Sequence, residues 1–432
     1  MAPYRPRKKL RIRNATAAPS AAAAASDALL SLPPEILDEI LGRIDLCDAV
    51  RTSALSRAWR HRWESLPSLD IVIPYGQQAL WTVDCVLPRC SGRVRRFQAF
   101  LDDEFSARRL DEWLLVFSRY GGVQDLNLLR NGNRFFSLHS SVFSWRRLVS
   151  LDLFTCHFPP LPPGFEGLPD LKVLSLCNVK LQQNGECQLE EIIETSPLLE
   201  NLILSEVCIG GDDLIEWEIR APNLRHITIC SNFDYGWNFA QLPCLHSAVI
   251  ELWEYVGDRD FSKFLSGLVQ VTKLRLTTLY APVNGVSILE TLPCTFANLK
   301  SLKLLMHFNE LPPILFMFCL LRKTPNLEKL KILIYDGEEQ NIEADEEFLS
   351  AQWTDGMCGN LQVVKLARIN WLPNELSFMK LILSKAKLLR SLVVSHHDEC
   401  SVSHKDPLNE LLKCRTASAQ AQVLFQGSSG DY

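Results

Sequence analysis

One short segment near the carboxyl end of the sequence has residues whose types and spacing could bind a metal ion. His397, Cys400 and His404 follow the pattern H-x-x-C-x-x-x-H, a spacing that suits zinc. A structural zinc site uses four protein ligands, and only three are evident here. The surrounding residues are polar, as in a loop, so we expect no metal at this segment.

Motifs for enzymatic catalysis are missing from the sequence. It contains no G-x-x-x-x-G-K-[ST] loop for phosphate, no G-x-S-x-G nucleophile elbow and no H-E-x-x-H zinc helix. We therefore expect a non-catalytic protein that needs no cofactor.

Hydrophobic residues recur in twelve copies of the pattern L-x-x-L-x-L, in which Ile, Val, Phe or Ala can replace Leu. The copies begin at Val94, Val123, Leu148, Leu171, Leu199, Leu224, Leu245, Val271, Leu299, Leu327, Leu361 and Leu389. Their spacing averages about 27 residues, within the ~20–29 residues of leucine-rich repeats. Each such unit gives one strand and a return segment, so the pattern predicts a solenoid with a curved parallel sheet. A set of unrelated buried strands is the alternative, although no single globular fold predicts this spacing.

Cations occupy the exposed strand positions of the later repeats. Alternation along a strand sends the leucines into the core and the residues between them to the concave face. Four consecutive repeats place six cations and no anion there: Lys273, Arg275, Lys303, Lys329, Lys331 and Lys365. Because neighbouring cations on a rigid sheet favour anions, we expect this stripe to bind an acidic or phosphorylated segment of a substrate protein. The alternative is that these are solvated side chains neutralised by nearby return segments.

An acidic run lies close to this stripe. Seven acidic residues fall between Asp336 and Glu347, in the longest, 34-residue repeat. The simplest interpretation is a solvated loop insertion, although the run could also shield the basic stripe within the chain.

The formal net charge of −5 conceals a basic arm over residues 1–25, which carries six cations and no acid. We expect this arm to be disordered. Its cluster of Arg7, Lys8, Lys9 and Arg11 is typical of a nuclear-import signal and predicts a nuclear protein, with the cytoplasm as a second location. A solvated tail without a targeting signal is one alternative. An organelle transit peptide is another, but the arm has few hydroxyl residues.

Residues 31–63 predict three short amphipathic helices, too small a core to be stable unaided. The string Leu32-Pro33-Pro34-Glu35-Ile36-Leu37, followed by Ile40-Leu41, Ala49 to Arg57 and Trp59 to Trp63, resembles the F-box in the form common in plants. This resemblance implies docking on the Skp linker subunit of a cullin-based ubiquitin ligase. The docking residues it implies are Leu32, Pro33, Ile36, Leu37, Ile40, Val50, Leu55 and Trp59. They could instead form only a local core, and both roles can hold together.

The stretch from Trp353 to Phe425 is similar to the FBD region that follows the repeats in many plant F-box proteins. The similarity rests on Asn360–Val364, Glu375-Leu376, Leu383–Ala386, Leu389, Glu410–Lys413 and Ala417–Ala421. It departs at Thr416, where the pattern has a basic residue, and it implies no settled activity. Val423–Gly427 also looks like part of a viral-protease tag site. Because Ala417–Gln422 continues the FBD-like pattern, we expect a native tail.

These features predict an α/β chain in which a small all-α F-box precedes a leucine-rich-repeat solenoid. The expected segments are a basic arm (1–25), an F-box (26–70), leucine-rich repeats (90–350), FBD-like repeats (351–425) and a tail (426–432).

The resemblance implies a substrate-recognition subunit of an SCF-type ligase, which joins the linker and cullin to a target protein and promotes its ubiquitination and degradation. A scaffold that uses the F-box only for assembly is the alternative. A small-molecule receptor, similar to plant hormone receptors of this architecture, would need more regular repeats. We expect neither nucleic acid nor membrane as a partner, since the longest apolar run, Ile314–Leu321, is far below the ~18 residues of a membrane span.

Overall fold

The computed structural model describes residues 32–44, 46–55, 57, 59–66, 68–73, 83–89, 93–102, 107–132, 134–210, 217–254, 261–277, 295–335, 346–396 and 405–426. Four sequence predictions therefore lie outside the described residues in whole or in part. They concern the basic arm with its import cluster, the acidic run from 336 to 345, the H-x-x-C-x-x-x-H segment and residues 427–432 of the tail.

Within the described residues, fourteen parallel strands lie side by side in chain order and form one open sheet. They are β1 (Ser68–Ile73), β2 (Arg93–Leu101), β3 (Asp125–Arg130), β5 (Ser150–His157), β6 (Val173–Gln183), β7 (Asn201–Ser205), β10 (His226–Phe233), β12 (Ser247–Glu254), β13 (Lys273–Thr277), β14 (Ser301–Met306), β15 (Lys329–Ile334), β16 (Val363–Ile369), β17 (Ser391–His396) and β18 (Gln422–Gln426). Two short strands extend it, since β4 (Phe136–Ser137) pairs with β5 and β8 (Cys208–Gly210) pairs with β6. A separate pair joins β9 (Trp217–Ile219) and β11 (Trp237–Phe239).

The predicted repeats are confirmed, because the last two leucine positions of every copy lie in strands β2 to β17. The register keeps these positions aligned: Leu302 pairs with Leu330, Leu330 with Val364, and Val364 with Leu392. All of them are buried, and each fully buried aliphatic side chain stabilises the fold by about 1.5–3 kcal/mol. Strands β1 and β18 were not predicted and add one strand at each end, so the boundary expected at residue 70 falls inside β1.

The return segments are helical in some repeats and irregular in others. Their helices are α3 (Ala107–Arg119), α4 (Gly185–Glu194), α5 (Phe261–Ser266), α6 (Leu311–Arg322), α7 (Glu346–Ala351), α8 (Pro373–Lys385) and α9 (Lys405–Lys413), with 3-10 turns at Leu87–Arg89 and Ser140–Ser144. The apolar run Ile314–Leu321 lies in α6, where all of its residues except the half-buried Leu315 are buried. Phe318 packs edge-on against Phe378 of α8. No described helix is long and apolar enough to span a membrane.

Asparagine side chains tie successive repeats together at the turns before the strands. Asn223 Nδ2 donates to the Pro197 carbonyl at 2.8 Å, and Asn326 Nδ2 donates to the Ala297 carbonyl at 2.9 Å. Asn360 repeats this contact with Pro325 at 3.2 Å. The usual inner asparagine ladder of leucine-rich repeats is mostly missing from the sequence, and these turn asparagines bond to backbone carbonyls at exposed turns instead.

Residues 32–66 form a helical module that packs against the first strand of the sheet. It contains α1 (Pro34–Leu41), α2 (Leu46–Arg51) and 3-10 turns at Thr52–Ala54 and Arg62–Ser65. The third predicted helix is thus only a 3-10 turn. Helix α2 contacts β1, and Leu41, Trp63 and Leu66 belong to the same buried cluster as Leu69 of β1. The module and the repeats therefore share one hydrophobic core.

Candidate functional site

Helix α1 has two apolar stripes, and only one of them faces the core. Leu37 and Leu41 are buried, with Leu37 4% exposed. Ile36 and Ile40 lie on an adjacent stripe at the same four-residue spacing, and both are exposed, Ile36 by 42%. Ile44, four residues further on, is also exposed. An apolar stripe that a small module leaves in solvent marks a surface for another protein.

Polar contacts fix the orientation of α1. The Arg62 guanidinium donates to Asp38 Oδ1 at 2.8 Å and to the Pro34 carbonyl at 2.6 Å, so it bridges the middle and the start of the helix. Trp63 Nε1 donates to Ser53 Oγ at 3.0 Å. Since Pro33 and Pro34 begin the helix, its first turn needs no amide donor from Pro34. These contacts hold the buried stripe against the core and leave the second stripe in solvent.

The predicted linker-binding residues divide into surface and core positions. Pro33, Ile36, Ile40 and Leu55 are exposed, and Leu32 and Val50 are half-buried. Leu37 and Trp59 are buried and pack inside the module, and contact of either residue with a linker stays a prediction. The sequence prediction also omitted Ile44, although the spacing of Ile36 and Ile40 extends directly to it. The exposed set Pro33, Ile36, Ile40, Ile44 and Leu55 is called the docking stripe below.

The second candidate surface is the sheet face that the sequence predicts to be concave, called the open face here. It is formed by the residues that alternate with the buried leucines. In the register of the sheet, Arg275 lies opposite Lys303, Lys303 opposite Lys331, and Lys331 opposite Lys365. Adjacent strands are ~4.8 Å apart, so these four cations form a continuous line, called the basic row below. Lys273 and Lys329 lie beside it, separated from each other by Ser301.

An acid that the sequence analysis did not assign to this face lies at one end of the basic row. Glu251 of β12 forms an ion pair with Arg275 of the next strand. Strand β12 continues to Glu254, beyond the leucine pattern, and simple alternation from Val249 would have placed Glu251 on the open face. Burial and the neighbouring Glu251 carboxylate raise the pKa of the Cys230 thiol to about 12. Arg275 of the row is therefore paired with an acid of the neighbouring strand.

Two aromatic side chains border the basic row at the end where the strands finish. Trp253 lies near the end of β12, and Tyr335 comes directly after β15. The two rings meet edge to face, with their centroids 5.5 Å apart. Such a contact reaches across the ends of β13 and β14. It gives the basic row an aromatic boundary on one side, and Tyr335 stays exposed.

No group of three or more metal-binding side chains occurs among the described residues. The H-x-x-C-x-x-x-H segment lies outside them. The described cysteines are all free, and burial raises the pKa of the Cys156 and Cys358 thiols. These side chains pack as small hydrophobic groups.

Comparison with known proteins gives two matching family models. The model for the leucine-rich repeats of FBD-associated F-box protein At5g56370 matches residues 110–332, and the F-box domain model matches residues 29–70. The F-box match covers the docking stripe, and the repeat match covers Lys273 to Lys331 of the basic stripe.

Several proteins that are similar to this chain come from Arabidopsis thaliana. F-box/FBD/LRR-repeat protein At1g13570 is 28% identical over 422 residues, which cover 92% of this chain and 98% of that protein. F-box/FBD/LRR-repeat protein At5g22660 is 25% identical over 462 residues, covering 93% and 97%. F-box/LRR-repeat protein 13 is 30% identical over 223 residues, covering 49% and 47%.

Proposed function

The chain belongs to the plant F-box family with leucine-rich repeats and an associated FBD region, and we propose that it is the substrate-recognition subunit of an SCF-type ubiquitin ligase. In this role the docking stripe binds a Skp-family linker and, through it, cullin. The repeats hold the protein that is to be ubiquitinated. The chain supplies proximity between target and ubiquitin carrier, and it has no catalytic step of its own.

The observation that carries this proposal is the docking stripe. Ile36 and Ile40 on one side of a short helix, and Ile44 just beyond its end, expose three branched aliphatic side chains, although the opposite side of the helix is well packed. Burial of exposed apolar surface is the main favourable contribution to most protein associations. The helix thus suits a partner that offers an apolar groove, and a linker subunit of this kind is what the F-box implies.

The shared core between the helical module and β1 supports a fixed position of the docking stripe relative to the repeats. Buried residues run without a break from Leu37 through Trp63 and Leu69 into the sheet. A target bound on the open face would therefore be held at a fixed distance from the linker. A fixed geometry favours repeated modification of the same region of the target.

We propose that the target presents an acidic or phosphorylated segment to the basic row. Neighbouring cations on a rigid sheet favour an anionic ligand. Charge-assisted hydrogen bonds to carboxylate or phosphate are roughly twice as strong as neutral ones. Location in the nucleus stays a prediction from Arg7, Lys8, Lys9 and Arg11.

Binding to a purified plant Skp linker tests the proposal. The double substitution Ile36→Lys with Ile40→Lys should abolish co-purification of linker and cullin, because two charges would then be buried at the contact. Leu115→Lys is the matched control, since Leu115 is also a helical aliphatic residue and is 42% exposed. Linker binding by the double variant at the wild-type level would contradict the assignment of the docking stripe.

Turnover of the target distinguishes a ligase subunit from a scaffold. Proteins captured in cells by the wild-type chain should accumulate when the proteasome is inhibited, and should also accumulate with the Ile36→Lys, Ile40→Lys variant. If the linker is recovered without cullin, or if no bound protein changes in level, the scaffold function is correct.

A further inference from the structure

The sheet ends at β18, and among the described residues no strand pairs with the outer edge of β18. At the opposite end, the helical module packs on β1. The edge of a sheet presents unpaired backbone N–H and C=O groups, which are a template for pairing with another strand. The two ends of this solenoid therefore differ, with a packed module at one and an open strand at the other.

Strand β18 lacks three of the features that usually protect an edge, namely charge, proline and a bulge. Its sequence, Gln-Val-Leu-Phe-Gln, contains no charged residue and no proline, and its pairing with β17 shows no register shift. Leu424 at its centre is 44% exposed, and Val423 and Phe425 are only partly buried. Short uncharged segments of high β-propensity at an open edge favour strand addition.

The sequence of β18 is nearly palindromic. Leu424 is central, Val423 and Phe425 flank it, and Gln422 and Gln426 lie outside them. Two antiparallel copies centred on Leu424 would place each Val423 opposite Phe425 of the second copy and each Gln422 opposite Gln426 of the second copy. A two-fold axis perpendicular to the sheet relates each face of one copy to the same face of the second copy. The core-facing residues of the two copies are therefore on the same side of the joined sheet.

The backbone of β18 selects the same register independently. The Gln422 N–H donates to the Arg390 carbonyl at 3.0 Å, so the hydrogen-bonding groups of Gln422 point towards β17. In a parallel pair alternate residues bond to the same neighbour, so Leu424 and Gln426 also point inward and Val423 and Phe425 point outward. In the antiparallel pair described above, Val423 and Phe425 of the second copy face each other and can exchange both hydrogen bonds.

We propose that two copies of this chain pair through β18 in antiparallel orientation and form a two-fold dimer with a continuous sheet. The side-chain pattern and the hydrogen-bonding groups agree on a register centred on Leu424. The contact is short and belongs to the small class of interfaces, below ~1,200 Å². The dimer therefore dissociates on dilution. It carries two docking stripes, one at each far end of the joined sheet, and binds a multivalent target more tightly than a monomer does.

Sedimentation velocity of the full-length chain over a range of concentrations tests this dimer. The wild-type chain should shift from monomer to twice that mass as its concentration rises. Leu424→Lys and Leu424→Glu should each lose the dimer, because like charges then meet at the two-fold axis. An equimolar mixture of these two variants should recover it, because residue 424 meets its own counterpart. Leu388→Lys is the control, since Leu388 is 52% exposed in the turn before β17. This variant should dimerise like the wild type.

A backbone variant gives a second readout. The N–H that Val423→Pro removes points to the outer edge and not to β17, so pairing with β17 should survive while dimerisation is lost. Thermal unfolding of each variant shows that the fold is intact. The proposal is overturned by a wild-type chain that stays monomeric at every concentration, by a Lys and Glu mixture that fails to dimerise, or by a Val423→Pro chain that dimerises like the wild type.

Discussion

Ile36 and Leu37 are neighbours in the sequence, and alanine at each position should affect a different property. Leu37→Ala should lower the stability of the fold, whereas Ile36→Ala should lower the affinity for the linker. Leu37 is 4% exposed and lies in the core of the module. Leu37→Ala should lower the free energy of unfolding by about 2–5 kcal/mol, through lost transfer free energy and a cavity. Ile36 is 42% exposed, and Ile36→Ala should change the free energy of unfolding by no more than about 0.5 kcal/mol.

The effect on linker affinity follows from the surface that each side chain has left to bury. Complete burial of an aliphatic side chain contributes about 1.5–3 kcal/mol, so the 42% of Ile36 that is exposed corresponds to about 0.6–1.3 kcal/mol. Leu55 is 58% exposed, which corresponds to about 0.9–1.7 kcal/mol. The double variant Ile36→Ala, Leu55→Ala should therefore raise the Kd for the linker by about 10- to 150-fold.

Isothermal titration of each variant with a purified Skp linker measures the affinity, and thermal unfolding measures the stability. The expected pattern is a weaker Kd with an unchanged Tm for Ile36→Ala, Leu55→Ala, and a lower Tm for Leu37→Ala. A Kd for the double variant within experimental error of the wild type would show that the docking stripe is not the contact surface. An unchanged Tm for Leu37→Ala would refute the assignment of that residue to the core.

Three further results are expected from the sheet and its return segments. The double variant Lys303→Glu, Lys331→Glu should lose capture of the target and of acidic peptides but retain linker binding. Lys385→Glu, which lies outside the sheet, is the control and should change neither property. Pull-down at two salt concentrations measures both. Burial raises the pKa of the Cys358 thiol from 9.0 to about 12, so the unfolded chain ionises first and the free energy of unfolding should fall between pH 9 and pH 12, by about 1.4 kcal/mol per pH unit. Alanine at this position should reduce that slope in urea titrations. Glu375 is fully buried and accepts hydrogen bonds from the Asn370 and Leu372 backbone N–H groups at 3.1 and 3.0 Å, so Glu375→Ala should cost about 2–3 kcal/mol in urea unfolding.

The repeat architecture could be predicted from the sequence because its signal is periodic and local. Leu302, Leu330 and Val364 occupy the same place in successive units, and a buried strand in each unit is the simplest way to remove all of them from water. The same alternation placed Lys303, Lys331 and Lys365 on the other face correctly, because alternation depends only on the strand itself.

The functional surfaces were predicted less completely, since they depend on contacts between distant segments. The resemblance to the F-box gave the docking residues as one set. Whether Ile36 or Leu37 faces solvent depends on how α1 packs against Trp63 and the turn at Arg62–Ser65. Glu251 was missed because the leucine pattern stops before the strand does.

The sequence by itself determined the class of the protein, the order of the twelve repeats that it predicts and the alternation of buried and open positions, because each follows from spacing along the chain. The tertiary structure decided which apolar residues of α1 are surface and which acid pairs with Arg275. It also decided that, among the described residues, the sheet is covered at β1 and has no strand beyond β18. Those properties depend on which segments lie next to each other in space, and residues far apart in the sequence become neighbours only when the strands pack side by side.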